Sequence, residues 1–79
     1  MYYLYLLQCS DGSIYTGITT DIKRRFTEHK TGEGGRFTRS RKVTKILYTE
    51  RFDNRSQALK REAEVKSWHR TKKLKLINA

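Results

Sequence analysis

The chain has 79 residues, and its 18 Lys and Arg outweigh 8 Asp and Glu, giving a formal net charge of +10 and an isoelectric point near 10.1. A chain of this length forms a single domain that buries only about 60–65% of its unfolded surface, which excludes a second domain and a large core. The strong excess of positive charge indicates a polyanionic partner.

Among polyanions, the sequence favours nucleic acid over an anionic membrane surface. No apolar run approaches the roughly 18–20 residues of a membrane span, and no signal segment is recognisable. Charge alone also fits a basic ribosome-associated protein. Cys9 is the single cysteine, which excludes an internal disulfide and a Cys-rich zinc site, so we expect a cytoplasmic protein.

The chain is expected to start as a β-hairpin. Residues 2–8 and 14–18 are rich in Tyr, Leu and Ile and flank an Asp-Gly pair, a strong hairpin signal. A helix over about 21–30 follows, and Thr20 or Asp21 can cap its start.

A third strand and a longer helix are predicted in the second half. The strand-like run extends from Val43 to Phe52, after a loop rich in Gly and Arg. Asn54 or Ser56 can start a helix over about 56–68.

Thr71 can cap a short last helix that ends near Ile77. The predicted order is therefore β-β-α-β-α-α over residues 1–79. This order predicts an α/β (α+β) domain, in which helices flank a small three-stranded antiparallel sheet.

The first helix carries two candidate phosphate-binding residues. At about 100° per residue, Ile22 and Phe26 form its buried stripe, Arg25 and His29 lie beside that stripe, and Arg24 points away. An arginine at the edge of a core can simply extend its charged end to water, and a single histidine there is often structural. Because both lie on one edge facing the tyrosine-rich strands, they favour a phosphate-binding role.

The second long helix carries a carboxylate on its apolar side, which is marked by Ala58, Leu59, Ala63 and Val65. Glu62 falls inside this arc, whereas Glu64 lies roughly opposite. An ionised carboxylate in an apolar setting is costly unless it is paired or binds a metal, so either Arg25 or a cation is expected beside Glu62.

These residues, in this order and spacing, resemble a GIY-YIG nuclease domain, in particular the small stand-alone bacterial members, over nearly the whole chain. The motif residues of the family fall on Tyr3-Leu4-Tyr5, Tyr15-Thr16-Gly17, Arg25, His29 and Glu62. Tyr3 stands where the first motif begins with glycine, and Thr16 where the second has isoleucine. Both motif tyrosines and Gly17 are kept.

The resemblance implies a metal-dependent endonuclease that hydrolyses DNA phosphodiester bonds, with structure-specific action in DNA repair or recombination as a candidate role. One Mg²⁺ or Mn²⁺ would bind Glu62, and Arg25 would neutralise charge on the scissile phosphate. Tyr5 would take a proton from the attacking water as phenolate, which requires nearby cations to lower its usual pKa of about 10. Tyr15 and His29 would orient the nucleophile or move protons, and the identity of the general base stays open among these three residues.

The expected partner is DNA, bound by a monomer, and a protein partner is expected to supply substrate specificity. The Gly-rich loop resembles the basic loop of the small family members, and the residues assigned to nucleic-acid binding are Arg24, Arg36, Arg39, Arg41 and Lys42. The competing interpretation is a non-catalytic nucleic-acid-binding module that retains the fold. Glu62 discriminates between the two, because a pure binder gains nothing from a negative group facing phosphates.

A shared site constrains the hairpin. With a two-residue Asp11-Gly12 loop, residue 8 would pair with Tyr15, and the Tyr5 and Tyr15 side chains would lie on opposite faces. We therefore predict a bulge or an odd-length loop between Cys9 and Ile14, with Gly12 at positive φ.

Overall fold

Three antiparallel strands in the order β2-β1-β3 form the sheet on which the helices pack. The structure is a computed structural model that describes residues 1–33 and 42–78. The elements are β1 (Tyr2–Cys9), β2 (Ile14–Thr19), α1 (Ile22–Lys30), β3 (Val43–Phe52), α2 (Arg55–Lys66) and α3 (Arg70–Ile77). This confirms the predicted α+β class and element order. In the described ranges, no helix is long and apolar enough to cross a membrane.

The central strand β1 is buried on both faces, which explains its nearly continuous apolar sequence. Tyr5 and Leu7 face one side, where Phe26 of α1 packs against them. Leu4 and Leu6 face the other side and pack with Val65 of α2, with Trp68 between the two helices, and with Leu76 and Ile77 of α3. The sheet therefore separates a layer containing α1 from a layer containing α2 and α3.

The hairpin has the odd-length connection that the sequence predicts. Gln8 pairs with Ile14, and Tyr5 pairs with Gly17, which leaves residues 9–13 in the connection. Gly12 adopts φ +85° in the turn. Because this register pairs Leu7 with Tyr15, the Tyr5 and Tyr15 side chains lie on the same face of the sheet.

Side-chain caps fix the starts of α1 and α2. The Asp21 carboxylate accepts a hydrogen bond from the backbone N–H of Arg24 at 3.0 Å, and the Asn54 side chain accepts one from Gln57 N–H at 2.9 Å. Both were among the predicted capping residues.

The prediction that Thr71 caps the last helix was wrong. The residue at the N-cap of α3 is His69, whose side chain makes no capping hydrogen bond, and α2 ends at Lys66 rather than near residue 68. Trp68 packs against the α2–α3 side of the core. The requirement to bury this ring and the end of α3 sets the helix boundaries here, rather than local capping preference.

One residue expected on the apolar side of α2 lies elsewhere. Ala58 and Val65 are buried and Leu59 is half-buried, but Ala63 is exposed. Ala63 is five residues from Ala58, which rotates it by about 140° around the helix and away from the sheet. Alanine tolerates this exposed position because of its high helix propensity.

Candidate active site

A hydrogen bond between two buried polar side chains lies between the sheet and α1. The Tyr5 hydroxyl and His29 Nε2 are 2.9 Å apart, and the two residues are 2% and 1% exposed. His29 is therefore the buried residue of α1, whereas Ile22 and Phe26, which were predicted to form the buried stripe of this helix, are half-buried. Its imidazole can be buried because Tyr5 satisfies one ring nitrogen.

Gly17 makes room for the Tyr5 phenol. A Cβ atom at position 17 would lie 2.5 Å from the Tyr5 hydroxyl oxygen, 2.7 Å from Cζ and 3.1 Å from Cε2 of Tyr15. The Tyr5 ring therefore extends from the central strand across β2, where only glycine leaves space for it. This close approach is a physical reason for glycine at the end of the second motif.

Tyr15 completes a cluster of three rings. Its ring centroid lies 6.1 Å from that of Tyr5 and 5.0 Å from that of His29, and the Tyr5 and His29 centroids are 5.8 Å apart. Tyr15 is half-buried, so its phenol is the more accessible of the two. These rings belong to three of the five residues predicted to be catalytic.

Burial keeps both members of the hydrogen-bonded pair neutral near pH 7. Burial raises the pKa of Tyr5 to about 12, and the hydrogen bond with Arg25 opposes this only in part. Burial lowers the pKa of His29, and the nearby charge of Arg25 lowers it further. The expectation that surrounding cations lower the pKa of Tyr5 was therefore wrong for the protein alone, because desolvation outweighs the attraction of one guanidinium.

Arg25 lies between the buried ring cluster and solvent. Its guanidinium donates to the Glu28 carboxylate at 3.0 Å and also hydrogen-bonds the Tyr5 phenol. Burial alone would lower the pKa of Arg25, but these two partners outweigh it and the pKa is raised. Its side chain is 32% exposed, so the group can reach a phosphate from solvent while it contacts Tyr5.

A cleft of about 480 Å³ opens beside Arg25 at the end of β2. Its charged lining residues are Arg24, Arg25, Glu28 and Arg55. Three arginines against one glutamate give the cleft a net positive charge suited to a phosphate backbone. Arg24 and Arg25 come from the α1 layer, whereas Arg55 comes from α2 in the opposite layer.

Arg55 was not among the predicted site residues, although the sequence contains a signal for it. Arg55 directly follows the N-cap of α2, and the first turn of that helix contains no acidic residue. A cation at a helix N-terminus is disfavoured by the helix dipole, so its presence there needs a reason. The position of Arg55 in the lining of the cleft, where it can bind phosphate, is such a reason.

Glu62 lies on α2, the helix that also carries Arg55 of the cleft. Arg61 binds Glu50 of β3 with two hydrogen bonds of 2.9 and 3.0 Å, which fixes the side of α2 that faces β3. Glu62, about 100° further around the helix, lies on the same helix face as Arg55 and two turns from it. Its side chain is 19% exposed and pairs with Lys66 at 3.5 Å. Of the two predicted partners for Glu62, Arg25 instead pairs with Glu28.

The available donors suit only a metal ion that keeps most of its water. Within residues 1–33 and 42–78, no group of three or more His, Cys, Asp and Glu side chains could hold a metal ion. Mg²⁺ is commonly held through one or two carboxylates, with waters and substrate phosphates completing its shell. Glu62, which is partly exposed and lies two helical turns from Arg55 of the cationic cleft, fits that kind of site.

The predicted nucleic-acid-binding loop is only partly described. Arg36, Arg39 and Arg41 lie outside the described residues. Lys42 is exposed, and its backbone carbonyl accepts a hydrogen bond from Ser10 N–H at 2.7 Å. This contact joins the start of β3 to the hairpin turn.

Residues 1–75 match the GIY-YIG catalytic domain family. A UPF0213 protein from Staphylococcus saprophyticus is 47% identical over 98% of this chain and 94% of its own length. A UPF0213 protein from Cupriavidus necator is 56% identical over 91% of this chain and 78% of its own length. The solution structure of a UPF0213 protein from Bacillus halodurans is 42% identical, with a TM-score of 0.63 over 99% of this chain and 84% of its own. The solution structure of a protein from E. faecalis is also 42% identical, with a TM-score of 0.66 over 98% of this chain and 82% of its own. The chain therefore belongs to the GIY-YIG catalytic domain family, a family of endonucleases, and resembles its small UPF0213 members.

Proposed function

We propose that this protein is an endonuclease that hydrolyses DNA phosphodiester bonds with the help of a divalent cation, Mg²⁺ or Mn²⁺. The observation that carries the proposal is the buried Tyr5–His29 hydrogen bond beside Arg25. Burying two titratable side chains costs free energy that an apolar pair would not cost. A proton-transfer role explains why this chain retains them at a cationic cleft.

Phosphate binding falls to the arginines of the cleft. Arg24 and Arg55 would hold the DNA backbone from the two layers. Arg25 would contact the scissile phosphate, where negative charge grows as water attacks. A fixed guanidinium at that point stabilises the transition state more than the ground state.

The proton of the attacking water would pass through Tyr5 to His29. Because the pKa of Tyr5 is about 12, a free phenolate is rare at neutral pH, whereas neutral His29 can accept a proton. As the water oxygen bonds to phosphorus, its proton moves to the Tyr5 oxygen and the Tyr5 hydroxyl proton moves to Nε2 of His29. The bond between phosphorus and the leaving sugar oxygen breaks, and that oxygen takes up a proton from solvent water. Tyr5 stays neutral, and His29 ends as imidazolium.

Glu62 is the residue that would hold the cation, together with water and phosphate oxygens. A bound divalent ion would polarise the phosphoryl oxygens and lower the pKa of its water. Tyr15 would keep the rings of Tyr5 and His29 in place by packing against both.

Matched variants of α2 test the carboxylate role. Glu62→Gln should lower Mg²⁺-dependent cleavage of labelled linear and branched DNA by at least about a hundredfold, as expected for loss of transition-state stabilisation. DNA affinity measured in EDTA should be unchanged or higher, because a negative charge leaves a phosphate-binding surface. Glu64→Gln is the control, since Glu64 is also an ion-paired glutamate of α2 but is 54% exposed and pairs with Arg61. This variant should cleave like the wild type.

A second pair of variants tests proton transfer. Tyr5→Phe keeps the ring but removes the hydroxyl, and should slow cleavage by about 10²–10⁴ with DNA binding retained. Tyr48→Phe is the control, because the Tyr48 phenol donates a 2.6 Å hydrogen bond to Glu50 away from the cleft.

A folded wild-type protein that binds DNA but cleaves neither substrate with Mg²⁺ or Mn²⁺ would instead identify a nucleic-acid-binding module. The branched substrate tests the structure-specific role.

A further inference from the structure

A second cationic surface lies on α3, away from the cleft. From residue 65 to the end of the chain there are five Lys and Arg and no acidic residue. Four of these cations form what we call the α3 surface: Arg70, Lys72, Lys73 and Lys75. Among the described residues, none of the four belongs to an ion pair, whereas Arg25, Arg61 and Lys66 each pair with a glutamate.

The α3 surface and the cleft are at opposite ends of β2. Arg70 and Lys73 line a cavity of about 270 Å³ with Ser13 and Ile14, at the start of that strand. The cleft is lined by Thr19 at the end of the strand. Six residues of extended chain separate Ser13 from Thr19, which corresponds to about 20 Å. One phosphate group cannot contact both surfaces.

The cations of the α3 surface flank the helix on both sides. Lys72 and Lys75 line a cavity of about 690 Å³ together with Trp68 and His69. The Lys72 ammonium lies 4.5 Å from the centre of the Trp68 ring. On the other side, the Arg70 guanidinium donates a hydrogen bond to the Gly12 carbonyl of the hairpin turn. These contacts hold two of the four cations against the fold.

The concentration of like charge has an electrostatic cost. Burial lowers the pKa of Lys73, and the charge of Lys66 lowers it further. Like charges gathered without carboxylates repel one another, and a polyanion bound across them removes that repulsion while it releases counterions. The α3 surface therefore has the charge pattern of a polyanion-binding site.

Nucleic acid fits this surface better than an anionic membrane does. A membrane-bound amphipathic helix needs a free apolar face to insert between lipids. Leu76 and Ile77 of α3 instead pack on the sheet side of the molecule, and Leu74 is the exposed apolar residue of the helix, at 36%. We propose that the α3 surface binds a second stretch of nucleic-acid backbone, distinct from the stretch in the cleft. The proposal uses the DNA partner of the proposed function but not its cleavage chemistry.

Salt titration of DNA binding tests this surface independently of catalysis. Affinity for a short labelled duplex is measured in EDTA at several salt concentrations, so a protein that cannot cleave gives an equally valid result. The variant Lys72→Gln/Lys75→Gln removes two charges but keeps most of each side chain. Its plot of log K against log salt should become shallower by about two units, because each phosphate contact contributes roughly 0.9. Arg70→Gln/Lys73→Gln, on the other flank, should show the same loss.

The matched control is Lys45→Gln/Lys60→Gln, which also removes two exposed lysine charges but lies outside both surfaces. It should keep nearly the wild-type slope, and thermal melting checks that all variants fold. The proposal is overturned if the α3 variants change the slope no more than this control does. It is also overturned if they abolish binding to phosphatidylserine vesicles while their DNA slope stays at the wild-type value.

Discussion

The closest contact of the ring cluster gives a sharp test of how it is built. In Gly17→Ala, the new Cβ would lie 2.5 Å from the Tyr5 hydroxyl, and real Cβ contacts are essentially never below 3.0 Å. The phenol must then move by at least about half an ångström, which strains the 2.9 Å hydrogen bond to His29. Overpacking of this kind costs about 1–3 kcal/mol, and replacing a strand glycine by alanine offsets roughly 0.5–1 kcal/mol of it.

The net loss of up to about 2.5 kcal/mol should lower the melting temperature by as much as roughly 10–20 °C for a domain of this size. Calorimetry or circular dichroism measures the shift. The same substitution in a Tyr5→Leu background is the matched control, because only the 3.1 Å approach to Cε2 of Tyr15 then remains and Gly17→Ala should destabilise far less. Equal melting shifts in the two backgrounds would refute the claim that Gly17 is required by Tyr5.

Two further predictions concern stability. The Thr16 hydroxyl is buried without a hydrogen-bond partner among the described residues, so Thr16→Val should raise the free energy of unfolding by about 1 kcal/mol. Thr19→Val is its control and should destabilise, because the Thr19 hydroxyl bonds the backbone of Asp21. Because the pKa of His29 is lowered on folding, the unfolded chain takes up the proton first, and the free energy of unfolding should fall as pH drops from about 7 to 5. Urea unfolding should show this slope in the wild type and in His69→Gln, where an exposed histidine is replaced, but a smaller slope in His29→Gln.

The hairpin register could be predicted because two independent constraints met in it. Side chains alternate across a strand with a period of two, and a shared site requires Tyr5 and Tyr15 on one face. Together they exclude a two-residue loop, and the observed pairing of Leu7 with Tyr15 follows. The helix caps at Asp21 and Asn54 could also be predicted, because each side chain accepts a hydrogen bond from a backbone N–H only three residues further along the chain.

The deep burial of His29 could not be predicted from its helix. Hydrophobic periodicity treats histidine as polar and places it at the edge of a stripe. Its burial depends on a hydrogen bond to Tyr5, 24 residues earlier in the chain, and the room for that phenol depends on Gly17 in another strand. The helix sequence contains none of this information. The same limit applied to Thr71, since packing of Trp68 sets the start of the last helix.

Arg25 has two electrostatic effects that act on different groups. Toward solvent, its guanidinium is accessible to a phosphate, which its fixed positive charge attracts. Toward the core, burial lowers the pKa of His29 and the same charge lowers it further, so the imidazole stays neutral where an isolated histidine would begin to protonate. A neutral imidazole is the form that can accept a proton, whereas an imidazolium at this position could not. A cation beside the ring cluster therefore supports both parts of the proposed reaction, because the group that binds the phosphate also preserves the acceptor for the water proton.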